Sequence, residues 1–315
     1  MKPTLAVDLG GLRLPTPVMI ASGCFSAPKD VSGLVDLRKV GGIVLPSVTM
    51  RPRRGSPTPR MAETSSGLLS SIGLQNPGVD AALASLPGLA KIGVPLFASV
   101  AGASVEEYLR VAAAFASVGT VAGLELNLSC PNDERGGRFF ASDADQAAAA
   151  VAAVTGVARV PVLAKLSSET SDVVEVAKSC MSAGARGVTL INTVTGIAID
   201  ARTHRPKLAS GTGGLSGPAI KPISLLAVYR VAQGLPDVPI VGVGGVTTAE
   251  DAVEYIAAGA TAVQVGTAMF VDPAAPVEIA IGIGRHLMEC GLPDPEALRG
   301  TAHGPAAPEP SEEGS

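Results

Sequence analysis

Aromatic side chains are scarce in this chain, which has no Trp, 3 Tyr and 6 Phe among 315 residues. So few rings leave no row of stacking platforms for single-stranded nucleic acid and no aromatic belts for a membrane interface. An excess of positive charge is also missing. Lys+Arg 24 against Asp+Glu 28 gives a formal net charge of −4, so no broad basic surface is available to neutralise a phosphate backbone. The four cysteines, Cys24, Cys130, Cys180 and Cys290, are far apart, with no CxxC pair and no His at ligand spacing. The chain by itself is therefore expected to hold neither zinc nor an iron-sulfur cluster, and no other metal. The longest uncharged run, Tyr255 to Val271, is too short for a membrane span and is broken by Gly259, Gln264 and Gly266. Met1 to Asp8 has no charged stretch followed by an apolar core, so no secretory signal is read there and a cytoplasmic setting is expected. The partner these absences leave open is a small molecule.

What is abundant is Gly (37) and Pro (25), about a fifth of the chain, together with short apolar runs. The runs are Val18 to Ala21, Ile43 to Leu45, Leu96 to Ser99, Gly123 to Asn127, Val162 to Lys165, Val188 to Ile191, Ile240 to Val243 and Ala262 to Val265. Their continuous apolar character, rather than strict alternation, is what a parallel sheet buried on both faces requires. Between them, Val105 to Ser117, Asp143 to Val157, Ser171 to Ala183 and Ala249 to Ala258 have helical length and composition. Eight such units predict an α/β fold, a (β/α)8 TIM barrel, in one domain over residues 1–300. A doubly wound open sheet uses the same alternation and is the structural alternative. Leu5 to Leu14, with Gly10-Gly11 between two apolar pieces, predicts an N-terminal β-hairpin that covers the barrel floor. Residues 301–315 are polar and Pro-rich and read as a disordered tail.

In such a barrel the working face lies at the carboxyl ends of the strands. Gly244-Gly245 and Gly266-Thr267 follow the seventh and eighth runs, and Gly211 to Gly217 follows the sixth. Glycines there let backbone N–H groups approach an anion, so phosphate binding is expected. Lys165 ends the fifth run and brings a cation to the barrel mouth. In Asn127-Leu128-Ser129-Cys130-Pro131-Asn132 a cysteine sits on a working-face loop, where a thiolate can serve as base or nucleophile. Cys24, Cys180 and Cys290 read instead as inert small apolar side chains. None of His204, His286 and His303 follows an apolar strand, which argues against a Cys-His hydrolase. Asn127, Asn132 and Asn192-Thr193 offer donors and acceptors that suit a planar amide or imide ring.

These residues resemble the flavin-dependent dihydroorotate dehydrogenases, most closely the class 1B catalytic subunit. The motifs that carry the resemblance are Ala21-Ser22-Gly23, Pro57-Thr58-Pro59-Arg60 with Ala62-Glu63-Thr64, Ile72 to Gly78, Asn127 to Asn132, Lys165-Leu166-Ser167, Ile191-Asn192-Thr193 and Gly213 to Pro222. With the two glycine sites they span about residues 14 to 275. The resemblance implies an FMN cofactor, with its phosphate near Gly217, Gly244, Gly245, Gly266 and Thr267, and with Ser22, Gly23, Ser47, Ser99, Asn127 and Ile191 lining it. It puts Lys165 at the flavin pyrimidine edge, where a positive charge favours the anionic reduced flavin. Cys130 becomes the base that removes a ring proton while hydride leaves the adjacent carbon. Ser70, Gly73, Leu74, Asn127, Asn132, Asn192 and Thr193 become substrate contacts. The implied reaction is oxidation of (S)-dihydroorotate to orotate in pyrimidine biosynthesis. A partner subunit carrying FAD and a [2Fe-2S] cluster is also implied, in a homodimer or heterotetramer.

Four positions depart from the family pattern. Pro46 stands where the family has a lysine touching flavin and substrate, and Ser70 where it has an asparagine on orotate. Ser99 replaces an asparagine, and Ser168-Glu169 a Pro-Asn pair. A substrate carboxylate facing Pro46 lacks a charge-assisted hydrogen bond of about 1.5–3 kcal/mol. Two further readings therefore stand beside the first: the same flavin chemistry on another dihydropyrimidine or secondary-metabolite ring, and a flavin-free barrel isomerase or lyase acting on a phosphorylated ligand.

Overall fold

The computed structural model describes residues 3–25, 34–129, 131–132 and 138–304. Eight parallel strands close a barrel: β1 (Val18–Ile20), β2 (Gly42–Val44), β3 (Leu96–Val100), β4 (Gly123–Asn127), β5 (Val162–Leu166), β6 (Gly187–Leu190), β7 (Ile240–Val243) and β8 (Ala262–Val265). Each pairs with its neighbour in sequence, and β8 closes on β1 through Val263↔Val18 and Val265↔Ile20. The open-sheet alternative is thereby replaced by the (β/α)8 barrel. Seven α-helices are present among the described residues: α1 (Val79–Ala90), α2 (Val105–Ala116), α3 (Ala144–Thr155), α4 (Val173–Ser182), α5 (Lys221–Gly234), α6 (Ala249–Ala257) and α7 (Ala275–Glu289). The described part of the β1–β2 crossover carries only a 3-10 turn, Leu37–Lys39.

Local sequence explains where the helices begin. Ser104, Asp143, Asp172 and Thr248 each accept a backbone N–H of the first turn of α2, α3, α4 and α6, satisfying donors that have no intrahelical partner. At α6, Thr248 and Asp251 form a reciprocal capping box. The helices lay their apolar faces on the outside of the barrel, through residues such as Tyr108, Phe115, Val151, Val231, Tyr255 and Ile283.

The barrel interior forms a second apolar cluster of Met19, Val44, Phe97, Leu163, Val241 and Ala262. It is sealed from below by an antiparallel hairpin, Val7–Leu9 paired with Leu12–Leu14, which contributes Val7, Leu9 and Leu14 to the same cluster. The expected hairpin thus sits where the sequence puts it. Two features have no counterpart in the sequence reading. Segments from the loops after β2 and β6 join in a four-stranded antiparallel sheet, ordered Val194–Gly196, Gly213–Ser216, Gly67–Ser70, Met61–Thr64. Residues 301–304, the first of the expected tail, form a turn in which His303 stacks on Tyr229 and its Nε2 lies 3.0 Å from the Ala258 carbonyl oxygen. Ring stacking and a backbone acceptor fix them where composition alone suggested no contact; residues 305–315 lie outside the described residues.

Candidate active site

Successive residues of a strand point to opposite faces, so every second residue of a barrel strand enters the interior. In β5, Leu163 and Lys165 share the inward face, the first low and the second near the mouth. A cleft of about 440 Å³ opens above Lys165. Ser22, Gly23 and Cys24 line it after β1, and Ile191, Asn192 and Thr193 after β6. Gly217, Gly244, Gly245, Gly266 and Thr267 line it from the β6, β7 and β8 loops. Met61, Leu68, Ser70 and Ser216 of the four-stranded sheet cover it, with Ser70 in register with Gly214 and Met61.

The glycine wall depends on its backbone shape. Gly244 and Gly245 have φ of +141° and +69°, conformations that disfavour residues with a Cβ. A Cβ on Gly244 would lie 2.9 Å from the Ser224 Cβ, and one on Gly245 would lie 2.8 Å from the Lys221 Cβ. Side chains behind the loop fix it. Tyr255, fully buried, donates its hydroxyl to the Gly244 carbonyl at 2.7 Å, and Ser224 donates to the Val243 carbonyl at 2.7 Å. Asp251 accepts from Thr247 and Thr248 and pairs with Lys221 at 2.6 Å. Burial pushes the Asp251 carboxyl up, but hydrogen bonds from Lys221, Thr247 and Thr248 outweigh it and hold the group at about 2. Sequence reasoning found the glycines but not Ser224, Tyr255 and Asp251; the last two fall in the stretch read as a helix, Ala249 to Ala258, and Ser224 in a stretch given no reading.

Ser47, Ser99 and Asn127 are tied to the cleft residue Asn192 by a chain of hydrogen bonds. Asn192 Nδ2 donates to Asn127 Oδ1 at 3.1 Å, and Asn127 Nδ2 donates to Ser47 Oγ at 3.1 Å. Ser47 Oγ lies 2.8 Å from Ser99 Oγ. Ser22 Oγ donates to the Leu45 carbonyl at 3.0 Å. Gly73 and Leu74 lie on the loop beyond Ile72, which is itself in the lining. Leu74 has a φ of +52°, and its carbonyl is held by Asn76 Nδ2 at 2.8 Å. A bulky residue in the left-handed region is strained, and such strain clusters at ligand sites. Cys130 lies outside the described residues; Asn132 is described only as the strand residue opposite Arg138.

The charge at the cleft floor has a partner that the sequence reading passed over. Glu125 of β4 is fully buried, and its Oε1 lies 3.5 Å from Lys165 Nζ. Its Oε2 accepts from Gln264 Nε2 at 2.7 Å and from Thr189 Oγ1 at 2.9 Å. A glutamate inside an otherwise apolar run was the available signal. Of the other cysteines, Cys180 is buried, and desolvation raises its thiol to about 12. Cys24 lines the cleft with its thiol raised to about 11, chiefly by burial and against the pull of Lys165. Neither is a ready thiolate near neutral pH. Cys290 is exposed at the end of α7 rather than buried, because it caps the helix on its solvent side.

The site's residues fit FMN by their chemistry, with a backbone-lined glycine wall for a phosphate, one buried cation and an amide-rich side. No helix among the described residues is long and apolar enough to cross a membrane, and no group of three His, Cys, Asp or Glu among them could hold a metal. The dihydroorotate dehydrogenase family model matches residues 4–287. Curated relatives named dihydroorotate dehydrogenase B (NAD(+)), catalytic subunit, include one from Trichlorobacter lovleyi, 46% identical over 305 residues covering 96% of this chain and all of that protein. The Bacillus caldolyticus relative is 49% identical over 296 residues, covering 91% of this chain and 94% of its own. The Anoxybacillus flavithermus relative is 50% identical over 270 residues, covering 85% and 86%. A match this long, on a closed barrel with this cleft, means that the chain belongs to the dihydroorotate dehydrogenase family.

Proposed function

We propose that this chain is an FMN-dependent oxidoreductase that converts (S)-dihydroorotate to orotate in pyrimidine biosynthesis. The observation that carries the reading is near-full-length identity of 46–50% to relatives bearing that name. The family implies FMN, and the cleft supplies complementary groups. Gly217, Gly244, Gly245, Gly266 and Thr267 would hold the phosphate, and Lys165 would meet the flavin ring system with its positive charge. When bound, FMN supplies the acceptor for the hydride that leaves one carbon of the substrate ring. Cys130 takes the proton from the adjacent carbon, so that a C=C bond forms as the two C–H bonds break. Asn192 and Thr193 are on the cleft wall, where amide and hydroxyl groups match the donors and acceptors of the substrate ring. The hydrogen bond from Asn192 to Asn127 orients both amides. Ser70 reaches the cleft from the covering sheet, a placement that supports its role at the substrate.

The relatives are called catalytic subunits of an NAD(+) enzyme. We carry over to this chain a partner subunit with FAD and a [2Fe-2S] cluster that passes the electrons on. Neither alternative reading, another ring as substrate or a flavin-free isomerase or lyase, has support among the relatives.

The experiment is flavin reduction by dihydroorotate in wild type and Cys130→Ala. The variant is expected to keep the bound-flavin spectrum while reduction slows by at least ~10², the size of a lost general base. Equal rates in the two proteins would contradict the assignment of Cys130, and no reduction in either would contradict the substrate.

A further inference from the structure

The barrel closes its lower interior with apolar residues alone, yet it buries a carboxylate immediately below the cleft. Removing a charge from water is costly unless a partner and hydrogen bonds compensate it. Here the compensation is one-sided. Strands β6 and β8 supply Thr189 and Gln264, which hold Oε2 of Glu125. The other oxygen, Oε1, has no hydrogen bond and is directed at Lys165 Nζ 3.5 Å away, longer than a normal N–H···O bond. The described residues lining the cleft include no carboxylate. The lysine stem is buried, so its ammonium has an anion beneath it and the open cleft above.

From this geometry we infer that Glu125 is a positioning residue: its carboxylate, fixed by Gln264 and Thr189, anchors the Lys165 ammonium at the cleft floor with its N–H donors turned to the ligand, and so sets the reduction potential of the bound flavin. The inference rests on FMN occupying the cleft. Glu125 itself touches neither cofactor nor substrate; it acts through Lys165. A long, flexible lysine side chain needs such an anchor to keep its ammonium at the cleft floor, because its rotamer freedom favours many other positions. With the carboxylate neutralised, a buried ammonium has no counter-charge, and the cation leaves the site.

The test is the midpoint potential of the bound flavin in a double-variant cycle of wild type, Glu125→Gln, Lys165→Ala and both together, with flavin content measured for each. Lys165→Ala is expected to move the potential to more negative values, and Glu125→Gln to reproduce at least half of that shift. The double variant should match Lys165→Ala alone, and Glu125→Asp, which keeps the charge, should fall between wild type and Glu125→Gln. An unchanged or more positive potential in Glu125→Gln would overturn the inference. So would a shift that persists in full when Lys165 is already alanine, since Glu125 would then act on the flavin directly. Should Glu125→Gln fail to fold, Thr189→Val removes one of the two donors that fix the carboxylate. A smaller negative shift is expected there, and none would overturn the inference. Wild-type protein that takes up no flavin would instead defeat the FMN reading itself, an outcome separate from flavin-loaded variants with unchanged potential.

Discussion

In the lower half of the barrel interior, Met19, Val44, Phe97, Leu163, Val241 and Ala262 fill the space and the N-terminal hairpin closes it. Two residues further along β3, β5 and β8 the filling changes from Phe97, Leu163 and Ala262 to Ser99, Lys165 and Gln264, which with Glu125 of β4 and Thr189 of β6 form a polar layer, all of it buried. Strand geometry is the same in both halves, so the fold does not require the change of side-chain type. The lower half shows what the barrel uses when only packing matters. The upper half gives up apolar burial for fixed charges and dipoles, which is the arrangement that stabilises charge on a ligand. Two buried oxygens left without hydrogen bonds, Glu125 Oε1 and Gln264 Oε1, mark that half as arranged for something other than stability.

The largest effects should come from single substitutions that separate the two halves. Phe97→Ala, in the lower half, leaves a cavity and is expected to lower unfolding free energy by ~3–5 kcal/mol. The protein that stays folded should still reduce its flavin at the normal rate. Lys165→Met, in the upper half, strands the Glu125 carboxylate and should lower stability by a similar ~3–5 kcal/mol. Here flavin reduction should fail as well. Denaturant unfolding together with rapid-mixing kinetics on each variant checks both, and normal flavin reduction in Lys165→Met would erase the contrast between the halves. A smaller effect on stability, with the same loss of chemistry, is expected when both charges go. In Glu125→Leu/Lys165→Met an apolar pair replaces the ion pair, and stability should match wild type or exceed it by ~1–4 kcal/mol. A double variant less stable than either single one would mean that the upper half is structural after all.

The smallest effect concerns acid. The Asp251 carboxyl sits at about 2 in the folded protein against its ordinary 3.8, because the bonds from Lys221, Thr247 and Thr248 outweigh its burial. Its folded value is depressed, so its contribution to stability is complete above about pH 4 and is lost as pH falls towards 2. Asp251→Asn should flatten that part of the stability profile and weaken flavin retention, since Asp251 braces the loop that follows Gly244-Gly245. An unchanged profile would show that other carboxylates control the acid transition.

Much of the barrel was legible because continuous apolar runs closed by polar residues leave few alternatives. Gly123–Asn127, Ile240–Val243 and Ala262–Val265 lie at the predicted bounds. Lys165 and the glycine wall were legible because residue type and position at a strand end coincide. The sheet that covers the cleft was not, since Leu69 pairs with Leu215 across a gap of the chain that leaves no local pattern. Glu125 and Gln264 were passed over for a related reason. Their significance comes from meeting Lys165 and Thr189 across strands, and a period-two pattern shows only that they point inward. Ser224 and Tyr255 behind the glycine loop were hidden in the same way.

Anaerobic mixing of the purified holoprotein with (S)-dihydroorotate tests the central claim most directly. The account predicts prompt loss of the oxidised-flavin absorbance with stoichiometric formation of orotate. Flavin that stays oxidised in the presence of excess dihydroorotate would contradict it.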